Sequence, residues 1–186
     1  MKHTSPSHRV VITGSESTGK TALAKALAEH FDCPYSPEAA RLYVEDLERA
    51  LTVDDVAPIA ARQMELEETA IRHALHLVIH DTDLLSTLIY SQHYYGESPE
   101  WLRNTAKRRV ADLYLVCDID LPWRADGPQR DSGSAEQRHK IHQQFVDLLE
   151  NSGQLTGTIS DVELSFIVHE PRGIIDLSNA ISLSCR

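Results

Sequence analysis

From Arg9 onward, short β-branched or apolar runs alternate with segments whose apolar residues recur every three to four positions. Runs of the first kind suit strands covered on both faces, and segments of the second kind suit amphipathic helices. The alternation, which continues from Val10 to about Ser182, predicts parallel strands joined by crossover helices. The expected fold class is α/β, three layers, with a mainly parallel sheet of about five strands.

The first strand is predicted over Arg9–Thr13, and Leu23, Leu27 and Phe31 share one face of a helix over Thr21–Phe31. A short strand at Pro34–Ser36 feeds a helix from Pro37, since proline fits a first turn and Glu38 suits a helix N-terminus. The next helix runs from Asp54 or Asp55 to about His76, with Pro58 in its first turn and Ile59, Met64, Ala70 and Ala74 on a loose apolar face. Leu77–His80 reads as a strand ending in Asp81, Thr82 and Asp83. Leu84–Tyr90 and Glu100–Arg109 read as helices, and Ala111–Cys117 as a buried strand. Residues 118–138 lose apolar periodicity and carry Pro122, Gly127, Pro128 and Gly133, the pattern of a mobile loop or lid. A helix over Glu136–Leu149, a polar stretch through Ser160, a strand over Glu163–His169 and a helix after Pro171 complete the expectation. No internal repeat divides the chain, so residues 1–186 read as a single domain with a flexible N-terminus at 1–8.

Composition narrows the function classes. Against 18 Lys and Arg stand 28 Asp and Glu, a formal charge of −10, which excludes a basic nucleic-acid-binding domain and nucleic acid as a partner. With 41% hydrophobic and 25% charged residues, the chain resembles ordinary globular proteins able to bury one substantial core. No apolar stretch approaches the roughly 18 to 20 residues of a membrane span, so no membrane association and a cytoplasmic location are expected. Cys33, Cys117 and Cys185 lie far apart and read as reduced, mostly buried thiols. The ten histidines form no His-Glu-x-x-His arrangement, so no catalytic zinc is expected.

Gly14-Ser15-Glu16-Ser17-Thr18-Gly19-Lys20-Thr21 carries the chemistry: Gly, four residues, Gly, Lys, Thr, with a strand before it and a helix after. Glycines let successive amides curl around phosphate, and the helix N-terminus adds partial positive charge. Lys20 would reach the β and γ phosphates of ATP and Thr21 would offer its hydroxyl to Mg²⁺. Asp81, at a strand's carboxyl end, is the candidate Mg²⁺ acid. Asp83 is either the cap of the following helix or a substrate contact. Glu38 lies beside the expected crevice, either as acceptor of a hydroxyl proton or as a helix-dipole partner paired with Arg41; Tyr43 is open in the same way. Arg124 and Arg130 could close over a triphosphate, and Trp123 could stack on a planar ring. Arg103, Lys107, Arg108 and Arg109 read as a solvated helical face. No Asn-Lys-x-Asp tetrad is present, which argues against a Ras-like GTPase, and the length leaves no room for motor or helicase modules.

Four ordered blocks, ITGSESTGKTALAKALA, PEAARLYVEDL, HDTDLLSTLIY and DIDLPWRADGPQR, resemble the ribosylnicotinamide kinase domain of the NadR type between about Val10 and Arg138. The resemblance implies a P-loop kinase fold with a mobile lid at 118–138, ATP and Mg²⁺ as cofactors, and transfer of phosphate to the ribose 5′-hydroxyl of nicotinamide riboside. It implies that Gly14 to Thr21 bind ATP, and that Glu38, Arg41 and Asp81 to Asp83 line the substrate site. Trp123, Asp126, Gly127 and Arg130 match its lid block, leaving open whether Arg124, Arg130 or Arg138 meets the phosphates. Asp81 is favoured as the metal-side acid and Glu38 as the hydroxyl's partner, with the reverse open. The ring of such a substrate is cationic, which favours an acidic pocket with an aromatic wall. Bifunctional family members carry an adenylyltransferase domain upstream, and with the P-loop starting at Gly14 none is expected here. Two rival readings remain: a kinase for another nucleoside or small hydroxyl substrate, and a nucleotide-dependent regulatory ATPase switch. Nothing in the chain indicates an oligomeric state.

Overall fold

Val10, Val11 and Ile12 have no exposed surface at all, as expected of a parallel strand covered on both faces. The computed structural model describes residues 7–45, 47, 49–122, 135–154 and 156–159. Those three residues lie in β1 (His8–Thr13), the middle strand of a five-stranded sheet ordered β2-β3-β1-β4-β5. Its neighbours are β2 (Tyr35–Ser36), β3 (Leu77–Asp81), β4 (Leu113–Cys117) and β5 (Thr156–Ile159), and every pairing is parallel. Parallel strands need crossover connections, and helices supply them.

Side chains alternate between the faces of the sheet. Val10, Ile12, Ile79 and Leu115 pack against Leu23, Ala24 and Leu27 of α1 (Lys20–His30). Val11, Tyr114 and Val116 meet the other layer: α3 (Val56–His73), α4 (Leu84–Tyr95), α5 (Glu100–Arg108) and α6 (Ala135–Ser152). The short α2 (Ala39–Glu45) packs against α3, and a single 3₁₀ turn at Val53–Asp55 leads into α3. Three layers result, as the alternating pattern predicts.

Two differences from the sequence reading have physical reasons. The fifth strand is Thr156–Ile159, inside the stretch read as polar. It pairs with β4 at the sheet's edge through its backbone, and its Thr-Gly-Thr-Ile sequence carries no apolar run to announce it. The stretch 163–169, read as the last strand, lies outside the described residues, as do the C-terminal helix after Pro171, most of the predicted lid, and Cys185. At the other end, β1 begins at His8, whose amide donates to the carbonyl of His76 at 2.8 Å. Among the described residues no helix is long and apolar enough to cross a membrane, and Cys33 and Cys117 are free thiols.

Register positions the chemistry. Ile12 stands opposite Asp81 and Thr13 opposite Val116, while Ser36 stands opposite His80. The carboxyl ends of four strands therefore reach one edge together. Gly14, Pro37, Thr82 and Asp118 are the first residues beyond it.

Candidate active site

Immediately after β1 the chain turns through two left-handed glycines, Gly14 at φ 131° and Gly19 at φ 78°. A Cβ on Gly14 would lie 2.8 Å from the carbonyl oxygen of Cys117, so the backbones of the loop and β4 touch where only glycine fits. Ser17, also left-handed at φ 55°, completes the curl. Inside it the carbonyl of Ser15 accepts from Thr18 Oγ1 at 2.8 Å and from Lys20 Nζ at 2.6 Å. The ammonium of Lys20 is thus held within the loop. The buried hydroxyl of Ser15 has no protein partner.

At the start of α1, Thr21 Oγ1 donates to Asp81 Oδ2 at 2.6 Å, and Tyr35 from β2 donates to the same oxygen at 3.3 Å. Asp81 Oδ1 is buried without a protein partner. Burial raises the carboxyl of Asp81 above the usual range, the Thr21 hydrogen bond pulls it back, the charge of Glu38 adds to the rise and that of Lys20 opposes it. Burial, joined by Asp81, also raises the Tyr35 phenol. Glu38, Lys20, Tyr35 and Asp81 therefore act on one another across a small space, although 46 residues separate Tyr35 from Asp81.

The other predicted residues divide. Glu38 is buried just before α2, with Arg41 Nε 3.9 Å from its Oε2. Asp83 caps α4 by accepting from the amide of Leu85 at 2.9 Å, and its second oxygen accepts from the buried Tyr114 hydroxyl at 2.8 Å. Both oxygens are used inside the protein, the cap of the two readings. Tyr43 donates to Asp55 at 2.9 Å, away from the phosphate loop. Arg109 pairs with Glu67 and Glu68, so part of the helical face read as solvated is tied to α3. Trp123, Arg124, Asp126 and Arg130 lie outside the described residues. Arg138 is described: its guanidinium donates to the carbonyl of Leu121 at 2.8 Å and to that of Ser17 at 3.1 Å, clamping α6 to the glycine loop.

Beside the loop opens a pocket lined by Tyr90, Tyr94 and Tyr95 of α4 together with Gln63 and Thr82. Glu16 and Glu38 also line it. Gln63 joins the layers: its oxygen accepts from the amide of Ala39 at 2.9 Å and its nitrogen donates to the carbonyl of Thr82 at 3.3 Å. Sequence reasoning missed Tyr35, Gln63 and the tyrosine wall. The only signal for the last was three tyrosines at positions 90, 94 and 95, a helical spacing that serves core packing equally well.

The donor set fits a magnesium nucleotide. The hydroxyl of Thr21 and the carboxylate of Asp81 are hard oxygens suited to Mg²⁺ with phosphate and water completing its shell, and the orphaned Asp81 Oδ1 is available to such an ion. Among the described residues there is no cluster of three or more His, Cys, Asp or Glu that could hold a metal alone. The glycine cradle and Lys20 fit phosphate.

Comparison with known proteins bears on the same elements. The model of the AAA domain family matches residues 9–162. The trifunctional NAD biosynthesis/regulator protein NadR of Escherichia coli K12 is 29% identical over 147 residues, which cover 77% of this chain and 36% of that protein. NadR of Salmonella typhimurium LT2 matches with the same identity and coverage. The chain thus spans about a third of the length of the curated relatives it matches. A crystal structure of NadR in complex with NAD and AMP-PNP aligns with a TM-score of 0.70 and 28% identity, covering 86% of this chain and 46% of that one. A second, of NadR in complex with NR, aligns at 0.65 with 26% identity, covering 88% and 46%. The thymidylate kinase of Ehrlichia chaffeensis aligns at 0.65 with 15% identity over 96% of this chain and 97% of its own, a likeness of fold alone. The resemblance carried by the four sequence blocks is borne out, and the architecture is that of P-loop kinases.

Proposed function

This chain belongs to the AAA domain family, and from that premise we propose that it is an ATP-dependent kinase that phosphorylates the ribose 5′-hydroxyl of nicotinamide riboside to give nicotinamide mononucleotide. One observation carries the reading: the Thr21–Asp81 pair and Lys20 stand at the phosphate loop, while Glu38, electrostatically coupled to Asp81, reaches into the adjoining pocket. A nucleotide-binding switch has no need of a second, tyrosine-walled cavity opening onto its phosphate site.

When bound, MgATP supplies the γ-phosphoryl group and a divalent charge to offset the negative charge that builds up during transfer. The chain's own residues do the rest. The amides between Gly14 and Thr21, with the N-terminus of α1, hold phosphate, and Lys20 neutralises charge on it. Thr21 and Asp81 would hold the metal's oxygen shell. Glu38 orients the substrate hydroxyl and takes its proton as the oxygen–phosphorus bond forms and the bond to the leaving diphosphate breaks. Being buried, Glu38 works where few waters compete for the transferred group. Trp123, Asp126 and the arginines Arg124 and Arg130 belong to this proposal as groups that complete the site from the segment after β4. Arg138 joins them through its grip on Ser17. NAD salvage in the cytoplasm is the matching context.

The test is mass-spectrometric detection of product after incubating purified protein with MgATP and a mixture of nicotinamide riboside and ordinary nucleosides. Nicotinamide mononucleotide as the dominant product supports the reading. A different nucleoside monophosphate would keep the kinase and replace its substrate, and ATP binding with no phosphorylated product would favour the switch.

A further inference from the structure

The pocket beside the phosphate loop has an electrostatic peculiarity. Two carboxylates, Glu16 and Glu38, line it together with Tyr90, Tyr94 and Tyr95, and no Lys, Arg or His is among its described lining residues. Glu16 comes from the glycine loop itself. A loop that gathers phosphates is the least favourable place for a buried negative charge, because like charges a few ångströms apart repel strongly where water is scarce. Yet Glu16 is about nine-tenths buried. Its Oε1 accepts from the hydroxyl of Tyr94 at 3.2 Å, so the carboxylate is turned across the pocket toward α4. Tyr94 in turn stacks on Tyr90, with ring centroids 6.0 Å apart and planes 12° from parallel. The outcome is a carboxylate beside a stack of electron-rich rings, and both attract a flat cation.

We propose that Glu16 is a specificity-determining residue, selecting a substrate whose ring carries a permanent positive charge and making binding of that cation favour binding of nucleotide. The inference rests on the kinase reading above and adds to it the charge of the ring as the recognised property. Arg138, whose charge Glu16 attracts, offsets part of the Glu16 charge while its guanidinium is held by the carbonyls of Leu121 and Ser17; a cation in the pocket balances the rest, and the repulsion of the phosphates falls. With the pocket vacant or holding a neutral ring, the repulsion stands. Binding linkage is reciprocal, so nucleotide must strengthen cation binding by the same factor.

The kinetic test compares nicotinamide riboside with its dihydro form, which has the same ribose and carboxamide on an uncharged ring. Wild type is expected to favour the cationic form, and Glu16→Gln to lower the ratio of the two kcat/KM values by about tenfold or more, mainly through KM of the cationic substrate. An unchanged ratio overturns the assignment even if both activities drop, since a merely structural defect lowers them together. A measurement on wild type alone guards against a misfolded variant: titration calorimetry with 1-methylnicotinamide and with nicotinamide. Tighter binding of the cation, strengthened further by AMP-PNP, is the expected result, and equal binding of the two overturns it. The two readings fail separately. Cation binding without phosphorylation of the riboside would sink the substrate reading, and phosphorylation of the riboside with no preference for a charged ring would sink the role of Glu16.

Discussion

Lys20 and Glu38 carry the kinase reading at the scale of single residues. Lys20 Nζ is 2.6 Å from the Ser15 carbonyl, held in a curl of backbone that only glycines at 14 and 19 allow. Lys20→Ala removes a charged donor that no other described side chain replaces, so kcat/KM for phosphoryl transfer should fall about a thousandfold, measured by coupled assay. Glu38→Gln keeps the shape and loses the base. Steady-state kinetics should show kcat dropping by about 10² or more, with a smaller rise in KM. Near-normal turnover in either variant would remove the mechanism. Lys20 was legible in the sequence because phosphate chemistry dictates its type and spacing, whereas Glu38 was read only from its place after the second strand, with a helix-dipole role beside Arg41 left open. Tyr35 was not legible, because its meeting with Asp81 depends on β2 pairing with β3 in one particular register.

At the scale of elements, α3 shows how a polar residue hides a buried face. Val56, Ile59, Ala60, Gln63, Glu67 and Ala70 are its buried residues, a stripe that follows the helical period closely. Read as polar, Gln63 and Glu67 break that stripe in the sequence, whereas in the fold one ties α2 to the turn after β3 and the other pairs with Arg9 and Arg109. The start of α4 depends on Asp83 in the same way. Asp83→Ala would free the Leu85 amide and strand the buried Tyr114 hydroxyl. The combined cost is about 2–4 kcal/mol. Calorimetry should record this as a fall in Tm on the order of 10 °C. A fall no larger than that of an exposed-site control would show that these hydrogen bonds contribute nothing net.

Across the whole molecule, buried titratable groups link stability to pH. His80 is fully buried beneath the α3 layer, with Nδ1 bonded to Ser36 at 2.7 Å and Nε2 without a partner. Burial, aided by the charges of Arg9 and Arg109, pushes it down to about 3 from an ordinary 6.5. The unfolded chain therefore takes up a proton that the folded chain refuses, and this part of the stability is present above pH 6.5 and lost as the pH falls toward 3. Glu67 works in the opposite sense. Burial pushes it up to about 7 from 4.5 despite Arg9 and Arg109, so its contribution is full below 4.5 and is lost as the pH rises through 7. His80→Asn isolates the first effect. The Tm advantage of wild type over this variant should shrink by several degrees between pH 7 and pH 5, and a constant difference across that range would contradict a buried neutral imidazole.

The sequence by itself determined the class of fold, the places of its first four strands along the chain, and the phosphate loop. Alternating apolar periods and a spaced Gly, Gly, Lys, Thr set are local signals, written within one element or one loop. Only the tertiary structure decided that Glu16 faces Tyr94 from 78 positions away, that Arg138 holds Ser17 across 121, and that Thr156–Ile159 joins the sheet beside β4. Such contacts arise from strand register and helix packing, which bring together groups whose sequence neighbours carry no trace of one another.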